Sequence, residues 1–332
     1  MININAKLNP KLLEVDIEQE PIRFGFGRGL VAAGKENQNV VALCADLTAS
    51  VKMDDFKKEF PDRFVEVGIM EQHMASLASG MAAVGKIPFI ASYAMFSPGR
   101  NWEQVRTNLC YNDSNVKIAG SHTGVSVGPD GATHQAIEDI AITRVLPRMT
   151  VLVPCDSIEA EKATIVSAKI KGPVYIRLAR EKTPIMTTKE TPFEVGKAEI
   201  FRGGKDVAII ACGQLVCTAL KAAEELAKEG IEVAVINNHT IKPMDETTIL
   251  RLAEQTGAVV TAEEHQIAGG MGSAVAEILV SGLPAGRQVP MEFVGVHDKF
   301  GESGEPNELL EKFGMCVKDI IEAVKKVMAR KK

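Results

Sequence analysis

Apolar positions recur along this chain with two different periods. Short β-branched runs, VVALC (40–44), RFVEV (63–67), PFIAS (88–92), VKIAG (116–120), TVLVP (150–154) and PVYIRL (173–178), alternate with stretches of helical spacing. That alternation predicts a mostly parallel sheet with helices on both faces. Within it, GIMEQHMASLASGMAAVG (68–85) sets Met70, Met74, Leu77, Met81 and Val84 at helical spacing with small residues between them. The pattern predicts a helix buried on more than one side. Periodicity is then lost over EKTPIMTTKETPFEVGK (181–197), where Thr, Lys and Pro gather as in a linker. It returns with DVAIIAC (206–212), the helical LVCTALKAAEELAKEG, EVAVIN (232–237) and AVVTAEE (258–264). The expectation is an α/β protein of two doubly wound, mostly parallel-sheet domains, 1–187 and 198–332, joined by a linker at 188–197.

Length agrees with that division, since 332 residues at 45% apolar content exceed what one core usually supports. A formal charge of -5 offers no basic field for nucleic acid, and no run of about 18 apolar residues suggests a membrane span. The six cysteines form no C-x-x-C pair, and MININAKLNPK lacks the apolar centre of a signal peptide, so a reducing cytoplasm is expected.

Ligands of open α/β sheets bind outside the carboxyl ends of the strands, which makes the residues after each β run the ones to inspect. Asp46 and Ser50 follow the first run, Glu71 the second, Tyr93 and Phe96 the third, and Arg180 the last. The fourth run leads into GSHTGVSVGPDGATHQ (120–135), which holds two of the six histidines, His122 and His134, with Asp130 between them. Asp46 equally suits a helix N-cap, the two aromatics suit a core, and Arg180 suits a surface ion pair. Glu71 is harder to place without a role, because a carboxylate opening a buried helix is costly unless partnered. His122, Asp130 and His134 match no metal-ligand spacing, and GGMGSA (269–274) reads as a turn opening a helix.

Three segments, ADLTAS (45–50), VEVGIMEQH (65–73) and SHTGVSVGPDGATHQAIED (121–139), taken in this order, resemble the transketolase family of thiamine diphosphate enzymes. The resemblance covers essentially the whole chain and corresponds to the pyrimidine-binding and C-terminal domains. It implies that Glu71 bonds the aminopyrimidine N1' of the cofactor and that Phe96, with Tyr93 beside it, packs on that ring. It further places Asp46 near the cofactor at a subunit interface and His122 and His134 along the substrate channel, where they move protons. Asp130 is implied to read a sugar hydroxyl, and Arg23, Ser50 and Arg180 to hold the sugar phosphate. The implied reaction is transfer of a two-carbon ketol unit from a ketose phosphate to an aldose phosphate, as in the pentose phosphate pathway.

The family's diphosphate-binding sequence, GDG followed by an Asn, is absent. The resemblance is therefore to the C-terminal subunit of a split transketolase, in which a separate N-terminal chain holds the diphosphate and most ligands of Mg2+ (or Ca2+), in an α2β2 assembly. Ala132 stands where the loop commonly has Pro. Three alternatives share parts of the pattern: 1-deoxy-D-xylulose-5-phosphate synthase, the β subunit of a 2-oxoacid dehydrogenase, and a non-catalytic scaffold subunit.

Overall fold

The computed structural model describes residues 1–331. Its strands are β1 (Gln19–Pro21), β2 (Val40–Cys44), β3 (Phe64–Glu66), β4 (Ile87–Tyr93), β5 (Lys117–Ser121), β6 (Thr150–Leu152), β7 (Val174–Leu178), β8 (Lys182–Pro184), β9 (Glu199–Arg202), β10 (Val207–Ala211), β11 (Val233–Asn237), β12 (Thr240–Lys242), β13 (Val259–Gln266) and β14 (Met291–Val296). A seven-stranded sheet has the order β12-β6-β7-β5-β4-β2-β3, and a five-stranded sheet the order β14-β13-β10-β11-β9. Each is parallel except for one edge strand, β12 against β6 and β9 against β11. All residues of β2, β5, β7, β10 and β11 are buried, as expected where helices cover both faces of a parallel sheet. The doubly wound α/β architecture read from the sequence is the one observed.

The alternation of side chains along β2 shows the two faces. Val40, Ala42 and Cys44 pack with Ile22, Phe26 and Leu30 of helix Ile22–Glu36. Val41 and Leu43 point the other way and join Met74, Ala75 and Ala78 of helix Glu71–Ala83. That second layer continues through Val151 and Val153 into Ile210 and Ile236 of the five-stranded sheet, so one apolar cluster spans both sheets. Helix Glu71–Ala83 is nevertheless buried on one side only. Ile69, Met70 and Val84, at its two ends, are open to solvent at 69%, 53% and 78%. Spacing identified the apolar positions but not how many neighbours this chain has to cover them.

Segment 188–197 is well held. Just ahead of it the Thr187 N–H donates to Asp156 at 2.6 Å; within it Lys162 donates to the Thr188 and Thr191 carbonyls at 2.7 and 2.6 Å, and Phe193 packs on the His239 ring at 4.3 Å. Just before it, β8 pairs antiparallel with β1. Two further connections cross between the halves. Ile2 bridges Arg202 of β9, and β12 closes the edge of the first sheet. Among the described residues, no helix is long and apolar enough to cross a membrane.

Candidate active site

Glu71 is the first residue of its helix and is 1% exposed. Its Oε2 accepts from Arg100 Nη1 at 2.7 Å, its Oε1 takes a long bond from the Ser92 hydroxyl at 3.5 Å, and its carbonyl accepts from Asn101 at 3.0 Å. The Arg100 guanidinium also lies over the Phe96 ring, 4.6 Å from its centroid. The acid expected among apolar groups thus has a cationic partner. Arg100 was missed because it lies seven residues beyond Tyr93, at the end of an irregular helical turn (Met95–Arg100), where no strand-end rule looks.

The aromatic and imidazole rings form one cluster. Tyr93, at the end of β4, stacks on His122 with centroids 3.7 Å apart, and lies 6.0 Å from the nearly parallel Phe96. Phe96 meets His134 edge to face at 5.3 Å. His122 follows β5 directly, with φ +57, and its Nδ1 is 2.9 Å from the Ser121 hydroxyl. Burial, together with the facing Arg23, Arg180 and His134, pushes the His122 imidazole down to about 3. It is therefore neutral at physiological pH.

Arg23 and Arg180 converge beside these rings. Arg23 donates to the Arg180 carbonyl, and Arg180 donates to the Val127 carbonyl in the loop after β5. Burial first, and then the charge of Arg180, lowers the pKa of Arg23. Glu181, 3.5 Å from Arg180, is the nearby counter-charge. Two guanidiniums held together with so little anionic compensation suit a strongly charged oxyanion, which a planar fork binds through paired hydrogen bonds.

The remaining candidates lie at the rim. Asp46 is exposed with φ +60 and caps no helix; its N–H donates to Glu66 Oε1 at 2.7 Å. The same Glu66 accepts from Thr48 Oγ1 at 3.0 Å and from the Gly68 N–H at 3.2 Å, so it ties together the turns after β2 and β3. Its place in the β run RFVEV concealed that role. Ser50 is half-buried in the turn after β2, which packs on helix Ile22–Glu36 where a Cβ at Gly27 would stand 2.6 Å from the Lys52 carbonyl. Asp130 is exposed at the end of the 3-10 turn Val125–Asp130. The fold thus gathers Glu71, Tyr93, Phe96, His122, His134, Arg23 and Arg180, with Asp46, Ser50 and Asp130 on the surrounding turns.

Residues 20–186 match the transketolase pyrimidine binding domain, and residues 196–320 the transketolase C-terminal domain. The chain belongs to the transketolase family. It is 42% identical over 318 residues to the 6-deoxy-6-sulfo-D-fructose transketolase subunit SqwH of Clostridium sp. (strain MSTE9), covering 96% of this chain and 98% of that one. It is 36% identical over 310 residues to a subunit of the apulose-4-phosphate transketolase of Phocaeicola vulgatus, covering 92% and 97%. Among solved structures, a split-gene transketolase in an inactive β4 tetramer superposes with a TM-score of 0.87 at 45% identity, over 94% of this chain and 99% of that one. This chain is accordingly a split transketolase-family subunit, and the loop at 120–135 and the two arginines lie within the transketolase pyrimidine-binding region. In this transketolase subunit the cluster brings together a flat aromatic surface beside a carboxylate, two imidazoles packed on those rings, and a cationic pair facing one of them.

Proposed function

We propose that this chain is the C-terminal subunit of a two-component, thiamine diphosphate-dependent transketolase that moves a two-carbon ketol unit between phosphorylated sugars. The observation that carries the reading is one continuous cluster, in which Arg100 joins Glu71 to the Phe96 ring, Phe96 and Tyr93 meet the two histidines, and Arg23 and Arg180 face His122. The residues fit the cofactor's aminopyrimidine. A flat, nitrogen-bearing group, the Arg100 guanidinium, already rests on Phe96 while donating to Glu71, which is the pair of contacts such a ring would need. When bound, the thiazolium supplies an electron sink for cleavage beside a carbonyl, which no side chain provides. Glu71 would exchange a proton with N1', and Phe96 and Tyr93 would hold the ring by stacking. Asp46 would lie beside it, towards the neighbouring subunit. His122 and His134 would move protons at sugar oxygens, Asp130 would read a hydroxyl, and Arg23, Arg180 and Ser50 would hold the phosphate.

In this reading residues 1–187 form the pyrimidine-binding domain and 198–332 the C-terminal domain, joined at 188–197. A separate N-terminal chain brings the diphosphate-binding domain and most of the Mg2+ (or Ca2+) ligands, in an α2β2 assembly acting in the cytoplasm. The relative solved without activity is a tetramer of β chains, which agrees with the need for a partner. The relatives named for a sulfonated fructose and for apulose 4-phosphate agree with a site built around an anionic sugar terminus.

The test is reconstitution. Purified chain should give no ketol transfer from xylulose 5-phosphate to ribose 5-phosphate, and transfer should appear on mixing with the N-terminal subunit, thiamine diphosphate and Mg2+. Transfer by this chain alone would overturn the two-component reading. Consumption of pyruvate by the mixture in place of a ketose donor would overturn the reaction.

A further inference from the structure

The loop at 120–135 is anchored from the other sheet. Glu264, near the end of β13 and 3% exposed, reaches out of the five-stranded sheet so that its Oε1 accepts the Ser126 N–H at 2.6 Å. Its Oε2 accepts from Gln214, whose amide also bonds the Ser126 hydroxyl at 3.0 Å. The acid fits only because residue 124 is glycine. A Cβ there would stand 2.2 Å from the Glu264 carboxyl carbon, and the backbone at φ +80 would strain any other residue. Arg177 closes the arrangement from β7, donating to the Glu264 carbonyl at 2.9 Å and to the Ala136 carbonyl at 3.3 Å.

These bonds act on the site through short connections. Gly124, which makes room for the acid, lies two residues from His122, and its N–H donates to the Ala136 carbonyl at 2.7 Å, which fixes the two stems of the loop together. Val127, in the turn that Ser126 belongs to, gives its carbonyl to Arg180. Gln135, next to His134, donates to the Val125 and Glu302 carbonyls, both at 2.9 Å. The carboxyl group thus holds the Ser126 backbone, one residue before the Val127 carbonyl on which Arg180 rests, beside a stem that the Gly124–Ala136 bond closes.

We propose that Glu264 is a positioning residue for the sugar-binding loop, through which the second sheet sets the affinity for phosphorylated sugars. The inference rests on the transketolase reading for its effect on affinity, and on geometry alone for the anchoring.

A carboxyl group also makes the anchor sensitive to pH. Burial pushes Glu264 up to about 7. Ionised, it accepts at both oxygens; protonated, one oxygen becomes a donor and loses an acceptor position facing two N–H donors. The loop should therefore be held more firmly as pH rises through about 7. The charged or titratable groups around this carboxyl are Arg177 from β7, Asp139 paired to Arg177, and Cys212 after β10. Its neighbours are bonded elsewhere, Glu263 to the Met271 and Gly272 N–H groups and His265 to the Ile140 N–H, and Asp130 on the turn is exposed.

Two measurements on the full chain test the proposal. In the isolated chain, amide hydrogen exchange of peptides spanning 122–135 should speed up about tenfold or more in Glu264→Ala, and much less in Glu264→Gln, which keeps one acceptor. In the reconstituted enzyme, Glu264→Ala should raise KM for the sugar phosphate by about tenfold, with kcat within about twofold and thiamine diphosphate affinity unchanged. Glu264→Gln should recover most of that affinity and remove the fall in KM as pH rises through 7. Unchanged exchange at 122–135, or a loss confined to kcat, would overturn the proposal. Faster exchange in Glu264→Ala, when the parent chain shows no ketol transfer with any N-terminal subunit, would instead leave the anchor standing and remove the transketolase reading. Should Glu264→Ala not fold, Gln214→Ala removes one of the two donors and leaves the buried acid in place. It should give the same changes at smaller size, and no change in either would count against the anchor.

Discussion

The two sheets carry similar residues at their carboxyl ends and use them in different ways. Beyond the seven-stranded sheet, the Glu71 carboxylate takes side-chain donors only, from Arg100 and Ser92, and two histidines and two arginines gather near it around the Tyr93 and Phe96 rings. At the end of β13 the sequence Glu263-Glu264-His265 looks equally reactive, yet its bonds are taken by the protein. Glu263 receives the Met271 and Gly272 N–H groups at 2.6 and 2.8 Å, at the start of helix Met271–Gly282. His265 accepts from the Ile140 N–H at 3.2 Å, and Glu264 takes Ser126. Residue type and strand-end position are the same in both places. What differs is whether backbone donors arrive to satisfy the side chains, and a group so satisfied orders the fold rather than binding a ligand.

On this contrast, changes at the first end should cost turnover and spare stability, while changes at the satisfied groups should do the reverse. The largest effect is expected for Glu71→Gln, which keeps size but cannot exchange a proton at N1'. Turnover of the reconstituted enzyme should fall by about 10^2 to 10^4, with thermal stability level or higher. Hydrogen-deuterium exchange at C2 of the bound cofactor is the decisive readout. Exchange as fast as in the parent would move Glu71 into the structural class and break the contrast at its strongest point.

Next is Asp139, a fully internal group. Its carboxylate accepts from the Tyr175 hydroxyl at 2.6 Å and from Arg177 Nε at 2.8 Å. Burial alone would raise this acid, but the Arg177 charge and both donors hold it below its ordinary value. Asp139→Ala leaves Arg177 buried without its partner, and breaking such a pair typically costs about 3 to 5 kcal/mol. Urea unfolding should show a loss of that order, and a variant of unchanged stability but lower turnover would sink the assignment. The smallest effect is expected for Arg180→Ala, which should weaken phosphorylated donors by about 10- to 100-fold and leave unphosphorylated ones nearly unaffected. Equal losses for both would mean that Arg180 mainly supports the Val127 carbonyl, and would blur the line between the two ends.

Much of this is legible in the sequence. The six β runs of the first half fall on β2 to β7, because fully buried parallel strands are written as short, nearly continuous apolar runs with clear stops. Glu71, His122 and Arg180 are singled out by the same logic, as chemistry placed after a β run. Arg100, Glu66 and Glu264 are not. Arg100 reaches Glu71 across 29 positions, Glu66 lies inside a β run, and Glu264 acts on Ser126 across 138. Periodicity reports which face a residue takes within its own element, not which distant atom it meets. For the same reason the loss of pattern at 181–197 reads as a linker where Asp156 and Lys162 hold the backbone, and the edge role of β12 left no trace in its three residues.

That edge has a consequence for how the two halves depend on each other. Thr240–Lys242, from beyond the connecting segment, closes the first sheet at β6, while Ile2 bridges the edge strand β9 of the second. Each half therefore borrows part of its border from the other's sequence. Cleavage at 188–197 would not release two finished modules. It would leave the two halves to find each other again as fragments, and until they did, the unpaired edge of β6 would be free to add a strand from any neighbouring molecule. The division that is plainest in the sequence is thus the poorest place to part the chain. Its halves share an interlocked border, and natural or engineered fission is better tolerated outside that border than within it.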